Sequence, residues 1–423
     1  MIYKAPRGTN DILGSDIQFL YNIYEKSREI FSLFAFEEII TPAFEDSGLF
    51  VRSLGEASDI VTKQMLNIKT SQRPLTLRPE GTASIIRAYL EHHLDRKEGF
   101  KKIFYIGPMF RGERPQKGRL RQFTHIGAEA IGSYSPALDA EIIVLMTRLL
   151  NSFGVCDYVL NLNSVGCAKD KEKLKAILNK KLQSKASRLC KDCQARLKKN
   201  ILRILDCKKE TCKQIVSEIT LDSDFRCSDC ARHFKMVKGF LNQLKVKFNE
   251  VATLVRGLDY YTGTVFEVTN SNLGSQDALG AGGRYDNLVA QLGGSDMGAV
   301  GFALGFERIA LCLNSQAKTS PGVGKRGPDV FLALTKETFL PAGLSLLNDL
   351  RAAGISADID YCNKSLKAQM RRANNIKARI VLMLGEEEIK TNKITLKDME
   401  TGSQNTYPKD EVISKLGELL KKD

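Results

Sequence analysis

Residues 104–132 read FYIGPMFRGERPQKGRLRQFTHIGAEAIG, a strand, a basic loop and a second strand. Alternate residues of a strand share a face. Arg111 and Glu113 therefore stand together at the end of the first strand, and Arg121, Phe123, His125, Gly127 and Glu129 share one side of the second. Ile126, Ala128 and Ala130 take the opposite, apolar side. A face that combines guanidinium, carboxylate, phenyl and imidazole groups fits a ligand carrying both an anion and a ring. Gly127 among them points to something approaching the backbone closely. An antiparallel hairpin with a charged outer surface would give the same pattern, so the spacing alone leaves both readings open.

Four other stretches carry groups capable of chemistry. In PLTLRPEGTASIIRAYL a strand bends sharply at Pro79 and Gly81 into a helix for which Thr82 is a good N-cap; Glu80 at that bend could bind an ammonium group or simply favour the helix dipole. The run Arg256-Gly257-Leu258-Asp259-Tyr260-Tyr261 is too polar for a core strand, yet leads into the β-prone Thr264–Val268. Gly280, Gly282 and Gly283 permit close backbone approach, and Arg308 follows a glycine-spaced strand at the start of a helix. Cys190 with Cys193, and Cys227 with Cys230, form two Cys-x-x-Cys pairs, each able to chelate one edge of a tetrahedral ion, with Cys207 and Cys212 as spare ligands.

The chain of 423 residues is long enough for two or three domains. No apolar run approaches the length of a membrane span, and the start, MIYKAPRGTNDILG, has no basic region followed by an apolar one; a cytoplasmic protein without a membrane partner is expected. The net charge of +14 favours a polyanionic partner. It is concentrated in Lys169–Lys213, with 16 lysines and arginines against five acidic residues.

The elements that must position these groups follow from periodicity. Ser15–Phe36 is an amphipathic helix leading into a strand at Ile39–Thr41 that Pro42 ends, and Pro136–Phe153 is a second helix. Residues 167–250 are lysine-rich and mostly helical, an insertion with few large apolar residues for a core, which a structural zinc ion at Cys190, Cys193, Cys227 and Cys230 would stabilise; reduced, partly buried thiols on helices would give the same pattern. Catalysis should not need that metal, because its ligands lie outside the other motifs. Residues 314–327 are polar and Gly/Pro-bearing, a linker. Beyond them β-α-β-α-β-β alternation marks a small α/β domain over 328–423.

FRGERPQKGRLRQF with IGAEAIG closely resembles the second signature motif of class II aminoacyl-tRNA synthetases, in the version of the histidyl-tRNA synthetases. RGLDYY and ALGAGGRYDNLV resemble motifs peculiar to that family, GFALGFERIAL resembles the third class II motif, and the helix–strand unit ending at Pro42 resembles the first, which forms the dimer interface. The resemblance covers nearly the whole chain. It implies an α+β fold: a catalytic domain on a mixed, mainly antiparallel sheet in two parts (1–166 and 251–313), interrupted by the insertion and followed by an anticodon-binding domain. It implies ligation of histidine to its tRNA, with ATP and magnesium, by a homodimer; the rival is a synthetase-like regulatory chain that catalyses nothing.

The resemblance also distributes roles. Arg111 and Arg256 would be catalytic, gripping the α-phosphate and substrate carboxylate from two sides. Glu80, Gly81 and Thr82 would hold the amino acid, Glu80 taking its ammonium. Glu129 and the Tyr261 hydroxyl would hold the imidazole nitrogens, with Tyr260 alongside. Glu113 would serve ATP, and Phe123 would stack on adenine opposite Arg308. His125 departs from the family pattern, standing where glutamine is usual, which puts its part in binding histidine in question.

Overall fold

The computed structural model describes residues 3–420 except 57, 72, 98, 220, 222–224 and 317–326. These divide into two compact units, one taking in residues 20–316 and the other the described residues from Gly327 onward. Among the described residues no helix is long and apolar enough to cross a membrane.

The larger unit is built on an eight-stranded sheet in the order Glu37–Glu38, Lys101–Phe110, Gln122–Ile131, Ala299–Gly305, Ala278–Arg284, Thr262–Thr269, Val159–Ser164, Asn249–Glu250. The six inner strands are antiparallel, and only the two short edge strands run parallel to their neighbours. The expected hairpin forms in ten-residue arms, with Tyr105 facing Gly127 and Gly107 facing His125 across the ladder. Its first arm stops at Phe110, so Arg111 and Glu113 belong to the loop, and their proximity comes from the turn rather than from strand alternation. The strand expected at Ile39–Thr41 forms slightly earlier. Glu37 and Glu38 pair with Ile103 and Phe104, and Ile40 is 83% exposed.

Helix Pro136–Phe153 has the expected bounds: Ser135 accepts a hydrogen bond from the Ala137 N–H at 3.3 Å, Pro136 opens the first turn, and Gly154, at φ +90°, ends it. Thr82 is not an N-cap. Gly81 occupies that position, and the Glu80 carboxylate takes the free N–H groups of Thr82 and Ala83 at 2.8 and 2.9 Å. The longer acid reaches both donors from outside the turn, freeing the Thr82 hydroxyl.

The insertion is mostly helical, with helices Ala168–Gln183, Lys191–Lys199, Glu210–Ser217 and Ser228–Gln243. It has more of an apolar core than its composition promised. Leu174, Leu178 and Leu182, four residues apart on one helix face, bury against Leu189, Ile204, Ile215 and Phe225. The four-cysteine grouping is corrected. Cys190 and Cys193 join Cys207 and Cys212, whereas Cys227 and Cys230 join Cys167 and Asp170 in a separate group. The pairs part because Cys227 precedes helix Ser228–Gln243, where its N–H is held by Asp170 at 3.0 Å.

The smaller unit carries a five-stranded sheet, Ala357–Ile359, Val330–Leu334, Ile380–Leu384, Lys393–Asp398, Gln404–Pro408, whose first three strands are parallel and whose last two pair antiparallel. Helices Leu340–Ala352 and Leu366–Asn375 supply the two crossovers. Helices Glu386–Thr391 and Val412–Leu420 complete it. Most of the expected linker, 314–327, lies outside the described residues; Asn314–Gln316 still belong to helix Phe306–Gln316.

Candidate active site

One cleft in the larger unit gathers Glu80, Thr82, Arg111, Glu113, Phe123, His125, Glu129, Arg256, Tyr260, Tyr261 and Arg308. The middle strand Gln122–Ile131 presents Phe123, His125 and Glu129 on one face, as alternation requires. At the bottom, Glu129 is fully buried. It accepts a hydrogen bond from the Thr82 hydroxyl at 2.7 Å and another from the Tyr285 hydroxyl at 2.5 Å. Burial pushes its carboxyl up to about 8, against the pull of these two donors.

Glycines make the room. Gly301 pairs with Glu129 across the sheet, and a Cβ there would sit 1.7 Å from the carboxylate oxygen. Gly81 and Gly127 flank the Tyr105 ring, which a Cβ on either would meet at 2.3 Å. The close approach that Gly127 signals is therefore that of Tyr105 from the neighbouring strand, not of a ligand.

Three arginines converge on the same space. Arg111 Nε donates to the Pro79 carbonyl at 2.9 Å, and its guanidinium lies 5.2 Å from the Phe123 ring centroid. Arg256 Nη1 donates to Glu267 at 2.6 Å, while its Nε is buried without a partner. Arg308 donates to the carbonyls of Gly118, at 3.1 Å, and Ala278, at 2.6 Å, pinning the hairpin tip. Partly paired cations in a recess suit a multiply charged anion.

His125 is flanked across the ladders by Gly107 and Gly305, and its Nδ1 is buried without a hydrogen-bond partner. Burial, with Arg111, Arg308 and Arg78 nearby, lowers its pKa to about 3, so the ring is neutral at ordinary pH. Glu307, whose oxygens accept the Thr124 N–H at 2.9 and 3.1 Å, is raised by burial to about 7. Tyr105, Tyr285 and Glu307 escaped the sequence reading. Tyr285 lies within the quoted ALGAGGRYDNLV, but only the fold reveals that its hydroxyl reaches Glu129.

A family model described as histidyl-tRNA synthetase matches residues 8–309. The chain belongs to the histidyl-tRNA synthetase family. A second model, an anticodon binding domain, matches residues 329–419. The chain is 45% identical over 413 residues to a histidine–tRNA ligase of Moorella thermoacetica, covering 96% of each. With one of Pelotomaculum thermopropionicum it shares 43% identity over 99% of each chain. Among solved structures, apo histidyl-tRNA synthetase from S. aureus aligns over 98% of this chain and all of its own, with TM-score 0.78 and 33% identity. A chain described as an ATP phosphoribosyltransferase regulatory subunit/histidyl-tRNA synthetase from Bacillus halodurans C, at 20% identity and TM-score 0.64, shares the fold. Membership in this synthetase family covers both units.

Proposed function

We infer that this chain is a histidine–tRNA ligase, and that the cleft carries out both half-reactions. A histidine carboxylate oxygen attacks the α-phosphorus of ATP, the bond to the bridging oxygen breaks and pyrophosphate leaves. The terminal adenosine hydroxyl of the tRNA then attacks the histidyl carbonyl and AMP leaves. The observation that carries the reading is the meeting of Arg111, Arg256 and Arg308 with the buried Glu129, Thr82 and Tyr285 in one cleft. A non-catalytic regulatory chain needs no such concentration of cations.

Bringing two anions together is the obstacle, so catalysis rests on positioning and charge stabilisation. Arg111 and Arg256 grip the carboxylate and α-phosphate. Phe123 offers its ring and Arg308 its guanidinium plane to the adenine. Glu80, with Thr82, takes the α-ammonium, while Glu129 and Tyr261 take the imidazole. A pocket of buried polar partners discriminates because any other side chain leaves them unpaired. His125 Nδ1, buried and without a partner, stands ready for one further hydrogen bond. Magnesium would supply charge neutralisation at the ATP phosphates, and Glu113, which lines the cleft beside Arg119 at 3.2 Å, is the carboxylate that would hold it there.

The basic insertion and the smaller unit would carry the tRNA in the cytoplasm. Ile40, 83% exposed, and Leu33, 79%, on the segment resembling the dimer-forming motif, support a homodimer. The test is exchange of labelled pyrophosphate into ATP, expected with histidine and with no other standard amino acid. Exchange with a different amino acid, or none from intact protein with magnesium, would overturn the reading.

A further inference from the structure

Four thiols of the insertion meet at one point. Cys190 precedes helix Lys191–Lys199 and Cys193 lies in its first turn; Cys207 follows the 3-10 turn Ile201–Ile204, and Cys212 lies in the first turn of helix Glu210–Ser217. Their sulfur atoms all lie within 4.8 Å of one another, and Cys193 and Cys212 are fully buried. All are free thiols. The Cys190 and Cys207 sulfurs are 4.0 Å apart. That is close to the roughly 3.8 Å edge of a tetrahedron whose metal–sulfur bonds are about 2.3 Å.

As neutral thiols these groups are weak donors and weak acceptors, with little to gain from one another. As thiolates they form a soft, four-sulfur ligand set suited to zinc. The first turn of helix Lys191–Lys199 turns its N-terminus towards Cys190, and the Arg196 guanidinium borders Cys193, so positive groups lie beside these sulfurs. The second group, Cys167, Asp170, Cys227 and Cys230, differs. Its carboxylate oxygens are already engaged, accepting the N–H of Cys227 at 3.0 Å and of Cys167 at 3.3 Å, so it is satisfied without an ion.

The segment between Cys193 and Cys207 reaches Asp59 and the run Arg256–Tyr261. Arg196 and Arg203 each meet the Asp59 carboxylate at 2.9 Å. Asn200 Nδ2 donates to Asp259 at 2.9 Å, and Arg203 Nη1 donates to the Gly257 carbonyl at 2.5 Å, one residue from Arg256. We propose that Cys190, Cys193, Cys207 and Cys212 bind one zinc ion, which closes this segment into a rigid loop and holds Asn200 and Arg203 against the backbone that carries Arg256. Zinc binding releases the four thiol protons to solvent and leaves a doubly negative centre that Arg196 neutralises in part. Arg203 is a positioning residue, and its role in catalysis rests on reading the cleft as the site of adenylate formation.

The experiment measures metal and protein together by elemental analysis on full-length chain made in zinc-supplemented medium and purified under reducing, chelator-free conditions. Wild type should hold one zinc per chain, Cys207→Ser/Cys212→Ser should hold none, and Cys227→Ser/Cys230→Ser should keep it. Should the first variant fail to fold, cobalt exchanged into wild type reports the ligands: intense visible bands and near-ultraviolet thiolate charge transfer are expected of a tetrahedral four-sulfur site. Zinc-free wild type, loss of zinc only from the Cys227/Cys230 variant, or a cobalt spectrum without thiolate charge transfer overturns the site. Arg203→Ala, with zinc retained, should lower kcat for histidine-dependent exchange roughly tenfold with little change in the KM for ATP, and Arg203→Lys should recover part of it. Unchanged kcat refutes the positioning role, whereas wild type that binds zinc yet exchanges nothing with histidine refutes the reading of the cleft and leaves the metal site standing.

Discussion

The cleft and the insertion are both rich in charge, but they hold it differently. In the cleft three working groups are tied to backbone, Glu80 to two N–H groups, Arg111 to the Pro79 carbonyl and Arg308 to the Gly118 and Ala278 carbonyls, while Glu129 and Arg256 are held by part-buried or buried side chains of neighbouring elements. The insertion's lysines are largely exposed on helices over a leucine-lined core. It meets the rest of the unit through long side chains, Arg196 and Arg203 on Asp59 beside the turn Ile60–Gln64 and His233 on Asp139 of helix Pro136–Phe153 at 2.9 Å, and through helix Ser228–Gln243, which packs on that same helix. Sheet register fixes atoms to within fractions of an ångström, as transition-state stabilisation needs. The insertion's exposed lysines can present a broad basic surface without that precision, and only its segment around Asn200 and Arg203 reaches the backbone beside Arg256.

The sharpest division between the two regions should appear on removing one cation from the cleft. Arg256→Ala is expected to lower the exchange rate by about 10²–10³-fold while the KM for ATP moves far less, because charge stabilisation matters most in the transition state. Circular dichroism must first show a folded protein, since the change also strips Glu267 of its partner. A near-normal rate would place Arg256 outside the chemistry.

A smaller effect separates the regions with the same single methyl. Gly301→Ala would place a carbon on the Glu129 carboxylate, so the KM for histidine should rise at least about tenfold, with a stability loss of about 1–3 kcal/mol. Gly239→Ala, in insertion helix Ser228–Gln243, meets nothing within 4 Å and should instead stabilise by about 0.5–1 kcal/mol, leaving histidine kinetics untouched. Steady-state exchange and thermal melts on both variants check the pair. Equal responses would erase the distinction drawn here.

This contrast also explains what could be read in the sequence. The alternation of Phe123, His125 and Glu129 is local and survives folding unchanged, and the bounds of Pro136–Phe153 follow from a serine cap, a proline and a glycine. The partners of Glu129 are not local: Tyr285 lies 156 residues away, and Thr82 became available only because Glu80 took over the capping. Gly127 was legible as a close approach but not as that of Tyr105, because the ring comes from the paired strand. The cysteine pairs show the same limit. Cys-x-x-Cys spacing identifies half a tetrahedron, and only the packing of the helices decides which half completes it.

His125→Gln should change the KM for histidine by only a few-fold. The imidazole, lowered to about 3 by burial and neighbouring arginines, is neutral at ordinary pH, and a glutamine amide offers similar neutral donors and acceptors. A loss of several orders of magnitude would mean that the imidazole ring itself is integral to the pocket.

The smallest expected effect is the most diagnostic of the cleft, because it depends on one buried proton. In the free protein Glu129 holds that proton up to about pH 8, while free histidine loses its imidazole proton near pH 6.5. A complex that pairs imidazolium with ionised Glu129 contains the same single proton, moved from protein to ligand. Between about pH 6.5 and 8 binding then takes up and releases none, and affinity should vary less than about twofold. Below pH 6.5 the ligand arrives already protonated, so one proton must leave and affinity should fall up to about tenfold per unit. If neutral imidazole faced the carboxylate instead, Glu129 would lose its proton on binding, and affinity would climb up to about tenfold per unit towards pH 8. Calorimetric titration of histidine at pH 7.2, in buffers of different ionisation enthalpy, separates the two: equal heats mean that the proton stays within the Glu129–imidazole pair, and heats that scale with the buffer mean that it is released.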